Sequence, residues 1–186
     1  MEALNIMRHE SVFNPPDYPY PFYIIGAGAT GSRVFAALVE LGIPNIHVYD
    51  YDIIEDHNLA NQIYMATDIG APKVEGCRNF VRNKLGVVPE KMHFHYEKVT
   101  PDLISSSFGI GGVVFILTDT MESRRKIFDA LVLRRNSNYI PDNGDELGTT
   151  QLISTPLLII ETRMASTHGT IFSINPFNEM ACKASH

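Results

Sequence analysis

Residues 23–52, "YIIGAGATGSRVFAALVELGIPNIHVYDYD", limit the possible folds more than any other part of the chain. The apolar run "FYII" reads as a buried strand, and Thr30 to Leu41 as a helix closed by Gly42. "NIHVYD" reads as a second strand ending on Asp50. At the first strand-to-helix junction, Gly26, Gly28 and Gly31 form G-x-G-x-x-G. In such a junction the first glycine permits the tight turn, the second lets phosphate approach the backbone, and the third packs helix on strand. The helix start then offers unpaired N–H groups to an anion. Asp50 follows 24 positions after Gly26, where an acid can accept hydrogen bonds from ribose hydroxyls. This order of elements points to nucleotide binding and does not say which nucleotide.

The remaining pattern extends that plan. Residues 14–21, "NPPDYPYP", hold four prolines in eight positions, which predicts an extended arm over 1–21 ahead of one nucleotide-binding domain over 22–186. A polar, irregular stretch runs from Tyr51 to Pro72. It is followed by a helix near Lys73 to Leu85 and a strand in "MHFHYEKV". "GGVVFILTD" is a buried strand ending on Asp119, "MESRRKIFDALVLRRN" a helix and "NYIPD" a short strand. Alternating strands and helices predict an α/β, Rossmann-like, doubly wound and mainly parallel sheet. "TPLLIIETRM" and "GTIFSINP" add an antiparallel pair near the C-terminus.

Composition narrows the function classes. Hydrophobic residues at 45% and charged residues at 19% belong to an ordinary globular domain. A net charge of -6 without a Lys/Arg run argues against a nucleic-acid surface. The N-terminal residues lack the basic and apolar regions of a secretory signal, and no apolar run nears the roughly 20 residues of a membrane span. With only Cys77 and Cys182, neither a disulfide framework nor a four-cysteine zinc site is expected, and a reducing cytoplasmic setting is the default. Cys77 reads as a small core residue rather than a nucleophile, and nothing near Cys182 activates a thiol.

The stretch "VYDYDIIEDHNLANQIYMATDIGAPKVEG" resembles the ThiF/MoeB family and the adenylation domains of ubiquitin-activating enzymes. In that family an acid-ended strand is followed by D-x-x-x-x-x-N-L-x-R-Q and G-x-x-K. The matching positions here are Asp50, Asp52, Asn58, Leu59, Gln62, Gly70 and Lys73. A second block, "VVFILTDTMESRRKIFD", is similar to the family's strand ending in Asp, followed by Asn and by an arginine five residues after the Asp, here Asp119, Thr120 and Arg124. The resemblance covers residues 22–145. It implies ATP-dependent adenylation of the C-terminal carboxylate of a ubiquitin-like or sulfur-carrier protein with a Gly-Gly type tail, releasing pyrophosphate.

It also implies roles for single residues. Lys73 supplies a cation at the phosphates and Asp119 a hard-oxygen ligand for Mg2+, while Asp52, Asn58 and Gln62 line the nucleotide site. Asp119 has a second reading, as N-cap of the helix after it. Arg124 and Arg125 read as a solvated face or ion-pair partners. Asn61 stands among the nucleotide-binding positions where the family carries arginine, so one charge is missing. Arg8, reaching a partner subunit's nucleotide, is a candidate replacement, and a homodimer is expected. Asp142, Asp145 and Glu146 could line a substrate path or form a solvated loop, and Arg163 could meet a carboxylate. Two other readings stay open: a weak or inactive nucleotide-binding scaffold, which Asn61 favours, and an NAD-dependent oxidoreductase, which rests only on the glycine turn and Asp50.

Overall fold

The computed structural model describes residues 14–106, 110–138, 156–164 and 169–176. The chain packs as two compact units. One contains Gly26–Lys98 together with 14–19, and the other joins Tyr20–Ile25 to the chain from Val99 onward.

In the first unit, helix α1 (Ala29–Glu40) leads to strand β2 (Ile46–Asp50), and helix α2 (Lys73–Leu85) to strand β3 (Met92–Tyr96). β2 and β3 pair in parallel, Ile46 opposite Met92 and Asp50 opposite Tyr96. Gly42 and Gly86 end the two helices at φ 84° and 75°, a backbone that glycine adopts without steric cost. Phe35 of α1 packs edge-on against Phe80 of α2 and Phe94 of β3, at 6.2 and 5.9 Å between ring centroids. Phe35, Ile46, Val48, Cys77 and Val81 are fully buried.

The second unit contains β1 (Phe22–Ile25), α3 (Pro101–Ser105), β4 (Gly112–Ile116), α4 (Met121–Asn138), β5 (Pro156–Met164) and β6 (Gly169–Ile174). β1 lies parallel to β4, β4 parallel to β5, and β6 returns antiparallel to β5 with Arg163 opposite Thr170. Helix α4 turns Ile127, Phe128 and Leu131 inward and packs on β4, β5 and α3. The class is α/β and Rossmann-like, with parallel strands joined by helices and an antiparallel strand last.

Three details differ from the sequence reading. Pro15–Asp17 form a single 3-10 turn rather than extended chain. Proline is tolerated in a first turn because its missing N–H has no partner there, and the Asn14 side chain donates to the Asp17 carboxylate at 2.6 Å. The short helix α3 was not foreseen. It begins at Pro101 behind Thr100, whose hydroxyl accepts the Leu103 N–H. Asn138 belongs to α4, and the remainder of the expected strand "NYIPD" lies outside the described residues, as do Arg8, Asp142, Asp145, Glu146 and Cys182. Among the described residues no helix is long and apolar enough to cross a membrane.

Candidate functional site

The glycine turn is held at three points. Gly26 sits at φ 98°, which favours glycine, and its N–H donates to the Tyr49 carbonyl at 2.8 Å. The Ala27 N–H donates to an Asp50 carboxylate oxygen at 2.6 Å, and the Ala27 carbonyl accepts the Tyr64 hydroxyl at 2.6 Å. Ala27 is fully buried, so each of these groups needs its partner. Helix α1 starts at Ala29 with neither a side-chain cap nor an acid in its first turn. Its first N–H groups therefore face outward without an internal acceptor. Among the described residues, and apart from Gly28 itself and its chain neighbours, no atom lies within 4 Å of where a Cβ on Gly28 would stand, which leaves room for a phosphate against the backbone.

Asp50 does more than wait for a ribose. Its second oxygen accepts the Asp52 N–H at 2.8 Å, so both oxygens are engaged with backbone. A carboxylate has about four acceptor positions, so lone pairs remain for a sugar hydroxyl. Burial raises the Asp50 pKa above the ordinary carboxylate value; the two N–H donors and the Lys73 charge pull the other way, and the Asp52 charge adds to the rise.

The stretch from Tyr51 to Pro72 is a closed loop. Ile53 bridges Pro72, Ile54 N–H donates to Ala71 O at 2.8 Å, and Gly70 N–H returns to Ile54 O at 2.9 Å. Closure brings Lys73 back to Asp52. The Lys73 N–H donates to Asp52 O at 2.9 Å and its ammonium to the Asp52 carboxylate at 2.7 Å. Lys73 is only 7% exposed, and Asp52 is the carboxylate that compensates its buried charge. Inside the loop, a 3-10 turn over Asp56–Ala60 is secured by Asn58, whose side-chain oxygen accepts the Glu55 N–H at 2.9 Å and whose carbonyl accepts from Gln62 at 3.0 Å. Asn58 and Gln62 are buried, and the Gln62 side-chain oxygen has no partner among the described residues. Asn61 is exposed beside it.

Tyr64 and Gly76 carry positioning roles that sequence reasoning missed. A Cβ on Gly76 would stand 2.5 Å from the Tyr64 ring and 2.6 Å from Ile54, so only glycine lets α2 press Tyr64 toward Ala27. The contact joins residues 37 positions apart, and no local pattern announces it. Burial holds the Tyr64 phenol protonated far above its usual range and pushes the Cys77 thiol up to about 12, which makes Cys77 an inert core residue.

In the second unit, Asp119 is exposed on a bend between β4 and α4. Capping of α4 falls to Thr120, whose hydroxyl accepts the Ser123 N–H at 3.2 Å, and not to Asp119. Arg124 is half-buried rather than fully solvated. Its guanidinium donates to the Thr118 carbonyl at 2.5 Å and to the Thr162 carbonyl, tying α4 to the strand ends.

A glycine turn braced by an acid-ended strand, with a buried lysine returned to it by a closed loop, is an arrangement suited to a phosphate-bearing ligand on an α/β framework. The family model described as "ThiF family" matches residues 21–185, and the chain belongs to that family. It is 34% identical over 105 residues to the Nedd8-activating enzyme E1 catalytic subunit of Drosophila melanogaster, covering 56% of this chain and 23% of that protein. It is 26% identical over 112 residues to the probable adenylyltransferase/sulfurtransferase MoeZ of Mycobacterium tuberculosis, covering 59% and 28%. The chain thus spans about a quarter of the length of these relatives. Among solved structures, E. coli tRNA N6-threonylcarbamoyladenosine dehydratase TcdA in complex with AMP has the same fold, with TM-score 0.59, 20% identity and coverage of 85% and 64%.

Proposed function

We propose that this chain carries out ATP-dependent adenylation of the C-terminal carboxylate of a ubiquitin-like or sulfur-carrier protein, working as a homodimer in the cytoplasm. The observation that carries the reading is the Lys73–Asp52–Asp50–Ala27 chain of contacts, which holds a buried ammonium in register with the glycine turn. In the reaction a carboxylate oxygen attacks the α-phosphorus, the bond to the β-phosphate breaks, and pyrophosphate leaves. Two anions have to meet, so most of the catalysis is positioning and charge neutralisation. Lys73 has three N–H donors and gives one to Asp52, which leaves two for phosphate oxygens. Asn58 spends its oxygen on Glu55 and keeps its amide N–H groups for ribose or phosphate.

The donor set suits Mg2+ in a particular way. Among the described residues no group of three or more His, Cys, Asp or Glu would hold a metal alone. Magnesium is usually bound through one or two carboxylates plus substrate phosphates, and the exposed Asp119 offers one such carboxylate. When bound, the ion would neutralise developing phosphate charge. No structural zinc enters the proposal. The names of the relatives, an E1 subunit and an adenylyltransferase, support the general reaction. Membership of the ThiF family supports adenylation over the nicotinamide reading. Asn61 keeps the catalytically weak scaffold as the second reading.

ATP–pyrophosphate exchange with Gly-Gly-tailed carriers tests the proposal, comparing the native chain with Lys73→Ala and Asp119→Ala. Carrier-dependent exchange that both substitutions abolish is the expected result. Absence of exchange with every carrier, alongside ATP-induced stabilisation, would assign the scaffold instead.

A further inference from the structure

We propose that Arg33 is the cation that meets the outer phosphates of the bound nucleotide; this rests on the nucleotide-binding reading above. Arg33 lies one residue beyond the first turn of α1, close to the end of the helix where the backbone dipole is positive. A cation there is unfavourable, and α1 has no acid in its first turn to offset it. Helix α2 differs: it also carries a lysine at its start, but Glu75 lies in its first turn and Asp52 pairs with that lysine. Among the described residues no carboxylate pairs with Arg33. Its one hydrogen bond runs from Nη2 to the main-chain oxygen of Gln62, at 3.4 Å. The rest of the exposed guanidinium keeps its planar fork of N–H donors, whose geometry matches two phosphate oxygens.

Two buried polar side chains, one adjacent to Arg33 in the chain and one on the residue that Arg33 contacts, lack a partner among the described residues. Ser32, next to Arg33, is fully buried and its hydroxyl has no partner among the described residues. Gln62, whose carbonyl takes the guanidinium, is 8% exposed and its side-chain oxygen has no partner. Buried polar atoms are rarely left without a hydrogen bond, so both keep unused hydrogen-bonding capacity beside the guanidinium. A nucleotide carries matching donors and acceptors, in its ribose hydroxyls and its phosphates. The N–H groups of the α1 start take the phosphate nearest the turn. Arg33 reaches past them to the loop at Gln62, and so faces the phosphates further out. Arg33 is thus a second cation, reaching the triphosphate from the Gln62 side as Lys73 does from α2.

Calorimetric titration of ATP and of AMP, each with Mg2+, into the native chain, Arg33→Ala, Arg33→Lys and Arg33→Ala/Asn61→Arg tests this. Arg33→Ala should weaken ATP binding at least about tenfold while changing AMP binding less than about threefold, because AMP lacks the outer phosphates. Arg33→Lys should keep part of the ATP affinity. A new arginine at 61, adjacent to the Gln62 carbonyl, should restore much of it. Equal affinity of Arg33→Ala and the native chain for ATP overturns the proposal and leaves the nucleotide reading standing. So does a loss shared equally by ATP and AMP, or one that neither replacement relieves. If the native chain binds no ATP, both fall together.

Discussion

Asp50 ends β2, whereas Asp119, expected to end its strand, lies on a bend past the end of β4 at Ile116, and the two put the same functional group to different uses. Asp50 is 8% exposed, its oxygens accept the Ala27 and Asp52 N–H groups, and burial raises its pKa. Asp119 is exposed, and its neighbour Thr120 takes the capping role that an acid at that position could have filled. An acid at or just past the end of a strand can thus serve in two ways: Asp50 organises the backbone of the glycine turn, whereas Asp119 stays exposed and outside the helix cap.

Removing each carboxylate is the strongest way to break this comparison. Asp50→Ala leaves two backbone donors without their acceptor, one of them fully buried, and should cost about 2–5 kcal/mol of stability in urea unfolding. ATP binding should be lost with it. Asp119→Ala should unfold within about 0.5 kcal/mol of the native chain, as surface substitutions do, while exchange activity falls roughly 10²–10³-fold. Equal stability losses for the two variants would remove the distinction.

Gly76→Ala attacks the Asp50 side without touching a carboxylate. The added methyl meets the Tyr64 ring at 2.5 Å, so the ring has to retreat from the Ala27 carbonyl. A stability loss of roughly 1–3 kcal/mol is expected from overpacking, together with weaker ATP binding by calorimetry. Unchanged ATP affinity would mean that Asp50 alone holds the turn.

The span from Phe22 to Asp50 was legible because each signal is local: an apolar run, three glycines, a helical stretch and a second apolar run. Helix α2 was placed at its observed bounds because Pro72 and Gly86 punctuate it. The partners of the site residues were not legible. Asp50 reads as a ribose ligand until the Ala27 and Asp52 N–H groups are seen against it. Lys73 reads as a free cation until loop closure at Ile53 and Pro72 brings it to Asp52. These contacts depend on how distant segments pack, which residue spacing does not encode. Arg33 was overlooked for a different reason: one arginine on a helix resembles any solvated charge until its lack of a carboxylate partner is known.

Strand β2 carries a further contrast that pH can read. Burial, followed by the neighbouring His93 and His95, lowers His47 to about 3 from its ordinary 6.5. The folded state therefore binds that proton less tightly than the unfolded chain does, so the contribution is full above pH 6.5 and is lost as pH falls toward about 3. Asp50 has the opposite sign. Its raised folded pKa means that stability declines as pH rises from the ordinary carboxylate value of 3.8 through the folded one. The two contributions oppose each other inside the His47 window, and His47→Gln should shift the slope of stability against pH downward there by up to about 1.4 kcal/mol per pH unit. Urea midpoints measured at several pH values check this, and an unchanged slope in His47→Gln would place the titration elsewhere.

The smallest expected effect tests whether Asp119 is free. Thr120→Ala removes the side-chain acceptor of the Ser123 N–H, and loss of such a cap costs typically about 1 kcal/mol. If Asp119 stays committed to the ligand, the variant should lose that stability and keep its exchange rate. Asp119, the preceding residue, carries a side chain of a type favoured in caps as strongly as threonine or more so. Should it turn inward to replace the cap, stability would hardly change and exchange would fall toward the level of Asp119→Ala. Measured together, the two quantities separate an acid kept available by its neighbour from one that merely happens to be exposed. Only the first outcome is consistent with Thr120 capping the helix so that Asp119 need not.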